Sequence, residues 1–128
     1  MKDTASAKAL FLASILKPGE HYAGIILGKD GEPDHHLVLL PGDAESVNWG
    51  QAKEFASKAG GELPTRREQS LLFANLKEQF QPRWYWSDNQ HASDAGYAWV
   101  QNFLYGYQNY YHKNYYYRAR AVRRLVIL

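Results

Sequence analysis

Between Asn48 and Pro82 the apolar residues of this chain recur at helical spacing, and on both sides of that stretch they recur as strands do. No other feature narrows the fold as far. Strands, then two helices, then strands do not fit repeating strand–helix–strand units, and they predict an α+β domain. Trp49, Ala52, Phe55, Ala56 and Ala59 share one face of the first helix, which begins at Ser46 or Asn48 and stops at Gly60-Gly61. A second helix follows at once. Thr65-Arg66-Arg67-Glu68 has the spacing of a capping box, in which the Thr65 hydroxyl accepts from the Glu68 amide and the Glu68 carboxylate accepts from the Thr65 amide. Pro64 fixes the approach to it, Leu71, Leu72, Asn75, Leu76 and Phe80 continue the spacing, and Pro82 ends it.

Residues 22–27 and 36–40 read as a hairpin across a turn rich in Gly, Asp and Pro at 28–34. Downstream, residues 84–87, 97–100 and 115–128 are rich in aromatic or β-branched side chains and are split by polar turns, which is strand composition. No repeat or linker interrupts the chain, so its 128 residues are expected to close one core as a single domain, 1–128.

Composition removes several kinds of chemistry. Without cysteine there is no disulfide framework, no thiolate nucleophile and no Cys-based zinc site. The histidines at 21, 35, 36, 91 and 112 lack the His-x-x-x-His spacing of a helical metal site, and no nucleophile elbow, phosphate loop or dinucleotide fingerprint occurs. Neither an enzyme nor a bound cofactor or metal is expected. A formal charge of +2 gives no global field toward nucleic acid or anionic membrane. The apolar run at 9–16 is far short of the ~20 residues of a membrane span, so no membrane insertion is expected. Preceded by Lys2 and Lys8, that run imitates a signal peptide, but no small-x-small site precedes Lys17-Pro18-Gly19-Glu20. It reads instead as a short helix with Leu10, Ile15 and Leu16 turned inward, in a protein made in the cytoplasm without a convincing signal peptide.

Gly61-Glu62-Leu63-Pro64-Thr65-Arg66-Arg67-Glu68, then Trp84-Tyr85-Trp86-Ser87, Ala98-Trp99, Gly106, and Arg118-Ala119-Arg120-Ala121-Val122-Arg123-Arg124 form an ordered set of blocks. Together they resemble the Lcl C-terminal domain family, a C-type-lectin-like domain of bacterial and phage proteins. The likeness runs over residues 49–125, about three-fifths of the chain. Residues 22–42 are also similar to the start of short prophage-encoded members. The resemblance implies a C-type-lectin-like fold, with two helices flanking a twisted antiparallel sheet and the N- and C-terminal strands paired, residues 24–27 against 125–128. It implies binding rather than catalysis: collagen-like bacterial adhesins use such a domain on sulfated glycosaminoglycans, and phage proteins of related fold grip host receptors through hypervariable surfaces. A place in a bacterial cytoplasm or a phage particle follows from the same likeness. The disulfides of animal C-type lectins are missing here, and Glu32-Pro33-Asp34 lies in the wrong part of the chain for a calcium motif. Calcium-dependent sugar binding is therefore not expected. The formylglycine-generating enzymes share a related fold, but their chemistry needs cysteine.

Seven of the ten tyrosines lie between Tyr105 and Tyr117, interleaved with Asn, Gln and His. That is paratope composition: tyrosine gives stiff, amphipathic contact area and its polar neighbours give adaptable hydrogen bonds. The resemblance to phage proteins, in which diversity-generating systems rewrite adenine-rich codons, further implies a diversified surface, since Asn, Tyr, His and Lys are all reachable that way. The candidate ligand-binding residues are Tyr105, Tyr107, Asn109, Tyr110, Tyr111, His112, Lys113, Asn114 and Tyr116, with Asn89 and His91 as a rim on a neighbouring loop. Arg118, Arg120 and Arg124 share strand parity with Tyr116 and would add a basic ridge for sulfate or phosphate. The plainer alternatives are arginines paired with Asp88, Asp94 or Glu62, and Tyr115 and Tyr117 pointing inward with Ala119 and Ala121. Trp84, Trp86 and Trp99 read as core. The expected partner is a protein or glycan on a cell surface. Single-stranded nucleic acid, bound by base stacking on tyrosine with arginine on phosphate, and a homo-oligomer closing over the aromatic face are the alternatives.

Overall fold

The computed structural model describes residues 4–128, so Lys2, weighed above beside Lys8, lies outside the described residues. The elements run α1 (Thr4–Ile15), β1 (His21–Ile26), β2 (His35–Leu39), β3 (Ala44–Val47), α2 (Trp49–Lys58), α3 (Arg66–Leu76), a 3₁₀ turn (Lys77–Gln79), β4 (Trp84–Gln90), β5 (Tyr97–Asn102), β6 (Gln108–His112), β7 (Tyr117–Ala119) and β8 (Val122–Val126). The expected α+β class is what the chain adopts.

Local chemistry fixes both central helices. Asn48, not Ser46, caps α2, accepting from the Gln51 amide while the Gln51 side chain accepts from the Asn48 amide. The Thr65 box closes as the sequence predicts, at 3.2 Å from the Glu68 amide to the hydroxyl and 2.8 Å from the Thr65 amide to the carboxylate. Between the helices Gly60 turns the chain at φ 91°, and a Cβ on Gly61 would collide with the Val122 carbonyl. Glu62 and Val122 bridge there through both backbone bonds, at 3.0 and 2.8 Å.

The strands form two sheets, ordered β1-β2-β8 and β3-β7-β4-β5-β6, antiparallel apart from the parallel contact of β4 with β7. The order of the smaller sheet corrects the expected pairing of residues 24–27 with 125–128. β2 lies between the two terminal strands, with His35 opposite Val126 and Leu39 opposite Val122. The reason is burial: Leu37, Val38 and Leu39 are covered on both faces, as a central strand requires, whereas β1 is broken by a bulge at Tyr22/Gly24 and leaves Ile25 exposed. The expected strand at 115–128 is also two strands, because the chain leaves the larger sheet after Ala119 and enters the smaller one at Val122.

Two apolar clusters hold this together. Leu37, Leu39, Leu72, Leu76, Phe80, Tyr85 and Phe103 pack α3 between the sheets, with Phe80 stacked on Phe103 at 3.9 Å. Leu40, Ala52, Ala56, Leu63, Trp86, Ala98 and Val100 pack α2 onto the opposite face of β4 and β5. α1 forms where a helix was expected, with Ile15 and Leu16 half-buried; Leu10, expected inward, is 74% exposed, and Phe11, itself exposed, lies against Tyr22 and His36. Arg123 ties its end down, bonding the Ile15 carbonyl and both Glu20 oxygens. Among the described residues no helix is long and apolar enough to cross a membrane.

Candidate functional site

The tyrosine-rich segment contains an edge strand, β6, and the pleat of that strand sends its rings to two different faces. Tyr110 lies opposite Trp99, and His112 opposite Tyr97, on one face; Tyr111 lies opposite Ala98, and Asn109 opposite Val100, on the other. α2 covers only the part of this second face around Trp86. The uncovered part carries the rings.

On that face the rings form an unbroken series. Tyr105 stacks on Tyr107 at 6.1 Å and 7° between planes, and Tyr107 meets the edge of Trp84 at 5.5 Å. Trp84 meets Tyr111 at 5.5 Å, and Tyr111 reaches Tyr115 at 6.1 Å and Tyr117 at 5.4 Å. Tyr117 then closes onto buried Trp86 at 5.3 Å, so the ladder is anchored in the core. Tyr105 is 70% exposed and Tyr116 60%, and Tyr107 and Tyr115 are about half exposed. The hydroxyls of Tyr105, Tyr107, Tyr110, Tyr115 and Tyr116 have no hydrogen-bond partner among the described residues. Beside Trp84 and Tyr116, a depression of about 240 Å³ is rimmed by Arg83, Glu45 and Arg118.

The remaining predicted residues have other duties. Asn89 lies at the end of β4, not on a loop, and its Oδ1 accepts the Arg66 amide at 2.8 Å. His91 stacks on Trp99 and tilts against Tyr110, on the face opposite the ladder. Lys113 donates to Gln90 at 2.7 Å and sits 4.5 Å over Trp49, which leaves it half-buried; exposed Asn114 donates its amide to His112 Nδ1. Asn109 accepts the Tyr110 amide and reaches the Tyr111 hydroxyl at 3.5 Å.

The basic ridge does not form. Arg120 is 7% exposed, donates to the carbonyls of Leu40 and Gln79, and packs on Phe80. Parity fails because the chain crosses between sheets at this residue. Arg118 is held by Asp43 at 3.0 Å, and Arg124 by Glu62 at 2.8 Å and by buried Glu68 at 2.7 Å. Of the carboxylates considered as partners, Glu62 is used; Asp43 and Glu68 carry no sequence signal for the role.

Burial raises the Tyr117 phenol to about 12, helped by Tyr111 and Tyr115. Burial does the same to Tyr85, also to about 12, with Asp43 accepting from its hydroxyl. For Glu68 burial pushes the carboxyl up, but bonds from Arg124, the Thr65 amide and His35 outweigh it and hold the group below its usual range.

Sequence reasoning placed Trp84 wholly in the core; it is half-buried, packed on the core cluster and also part of the aromatic series with Tyr107 and Tyr111. It assigned all three tryptophans to the core, and only Trp86 is fully buried. The signal available was position: Trp84 opens its strand, two residues from Trp86 on the same face but beyond the reach of α2. The second miss is Arg66, whose guanidinium lies 3.5 Å over the Trp99 ring. Compared with known protein families and with curated proteins, the chain matches none.

Proposed function

We propose that this chain is a non-enzymatic recognition module of the C-type-lectin-like kind, which takes a cell-surface protein or glycan against its aromatic ladder. Membership of the Lcl C-terminal domain family, and display on a phage particle as in the prophage-encoded members it resembles, belong to the same proposal. The observation that carries it is the continuous run Tyr105–Tyr107–Trp84–Tyr111–Tyr115, with exposed rings and free hydroxyls at both ends. Exposed aromatic patches of this kind mark binding surfaces, because rigid rings contribute contact area with little ordering cost. Anchoring through Tyr117 and Trp86 makes the surface pre-formed.

Replacement of Tyr105, Tyr107 and Tyr115 together by alanine is expected to weaken binding of the labelled protein to host cells by about a hundredfold, the scale of a lost hot spot. The thermal midpoint should stay close to that of the parent. A large drop in midpoint, or cell binding that survives the replacement, would sink the proposal. Single-stranded nucleic acid has less in its favour, since Arg118, Arg120 and Arg124 are already bonded within the protein. Light scattering with and without the three tyrosines tests whether a second copy covers the ladder instead.

A further inference from the structure

On the other side of the molecule a cleft of about 790 Å³ opens between the β1–β2 turn, the first turn of α3 and the end of β8. It is separate from the ladder: its walls on the larger sheet are Asn89 and Gln108, and neither belongs to the aromatic series. Its size falls in the range of about 300 to 1,000 Å³ typical of small-molecule sites. One wall is apolar, formed by Ile26, Leu27, Pro33 and Val126, and both Leu27 and Val126 are more than half exposed to it or to solvent.

The charges around the cleft divide into used and unused. Arg124 and His35 are spent on buried Glu68, each at 2.7 Å, so they form a closed polar floor. Arg66, Arg67 and Lys29 also line the cleft, and among the described residues none has a carboxylate within ion-pair distance. Arg66 is fixed in advance. Its guanidinium lies on Trp99, its Nε donates to Gln108 at 3.0 Å, and Gln108 donates back to the Arg66 carbonyl at 2.8 Å. Its two terminal nitrogens have no partner among the described residues. Arg67 is steadied by one bond to the Leu27 carbonyl at 2.9 Å, which leaves the rest of its fork open. The Arg66 and Glu68 amides at the start of α3 are taken by Asn89 and the capping box, so the charged groups that attract an anion here are the side chains.

We infer that this cleft is a second binding site, for a small organic monoanion with an apolar body and one carboxylate. The two free nitrogens of the fixed Arg66 fork suit a planar carboxylate, which accepts two parallel hydrogen bonds from one fork, and Arg67 adds a second positive charge on the same cleft. The apolar wall suits the body of such a ligand. Glu32, across the turn, disfavours a second negative charge.

The test uses the whole protein, isotope-labelled, and 4-phenylbutyrate as probe against its neutral amide, 4-phenylbutyramide. The acid should shift the Trp99 indole, the Gln108 side-chain amide and the Leu27 and Val126 methyl signals with saturation, and the amide should bind at least about tenfold more weakly. Arg66→Gln and, independently, Arg67→Gln should each weaken the acid by about tenfold, and Glu32→Gln should tighten it severalfold. Arg67 is exposed, so its variant keeps the test valid should Arg66→Gln disturb the Gln108 bonds. The triple tyrosine variant should bind the acid as the parent does, which separates this site from the ladder. Equal binding of acid and amide, shifts that never saturate, or an Arg67→Gln variant with parental affinity would overturn the inference.

Discussion

Arg120 and Tyr116 share sequence parity, yet one is buried under Phe80 and the other stands free beside Trp84. Their substitutions should therefore fail in opposite ways. Arg120→Ala leaves the Leu40 and Gln79 carbonyls unpaired and should lower stability by about 2 to 6 kcal/mol in denaturant unfolding, at about 1 to 3 kcal/mol for each unsatisfied group. Tyr116→Ala removes no internal bond and should stay within about 0.5 kcal/mol of the parent. The reverse result would restore the basic ridge that strand parity suggested. The composition of residues 105–117 was enough to locate the exposed aromatic face, but parity was a poor guide across 116–124. Which arginine faces solvent depends on where the chain changes sheet, and Ala119-Arg120-Ala121 gives no local signal of that.

Elements built from local rules were readable, and those built from distant pairing were not. Asn48 and Thr65 cap their helices through bonds to residues three positions on, so the sequence contains both partners. Thr65→Ala should cost about 1 kcal/mol in thermal or urea unfolding, as a lost cap does. Gly61→Ala should cost more, because the new Cβ meets the Val122 carbonyl at the bridge between helix and sheet. By contrast β3 (Ala44–Val47) is a strand only because β7 pairs with it, and nothing in Ala-Glu-Ser-Val announces that. The extension of β4 to Gln90 depends likewise on a bulge opposite β5, where a loop was expected. The insertion of β2 between the terminal strands is of the same kind.

Charge sets the pH limits of the molecule as a whole. The Glu68 carboxyl is held below its usual range by Arg124, the Thr65 amide and His35 against the effect of burial, so the folded state favours its ionised form. That contribution is present above the unfolded carboxylate value of about 4.3 and is lost as pH falls through the lower folded value. Thermal melts should lose stability on acidification below that point, and Glu68→Gln should flatten the slope while lowering the neutral-pH midpoint. Tyr85 and Tyr117 act at the alkaline end. With folded values raised to about 12, both favour the protonated fold, and stability should decline as pH climbs from about 10 toward 12. Phenolate absorbance followed through that interval checks it. The position of β6 at the margin of the larger sheet has one more consequence. Only one side of its backbone is engaged, by β5, while Trp84, Trp86 and Tyr117 secure the interior beneath it. Side chains at 105, 107, 110, 115 and 116 can therefore be exchanged wholesale without asking the scaffold to rearrange. A library randomised at those five sites should yield mostly folded proteins, which thermal melts of sampled clones check.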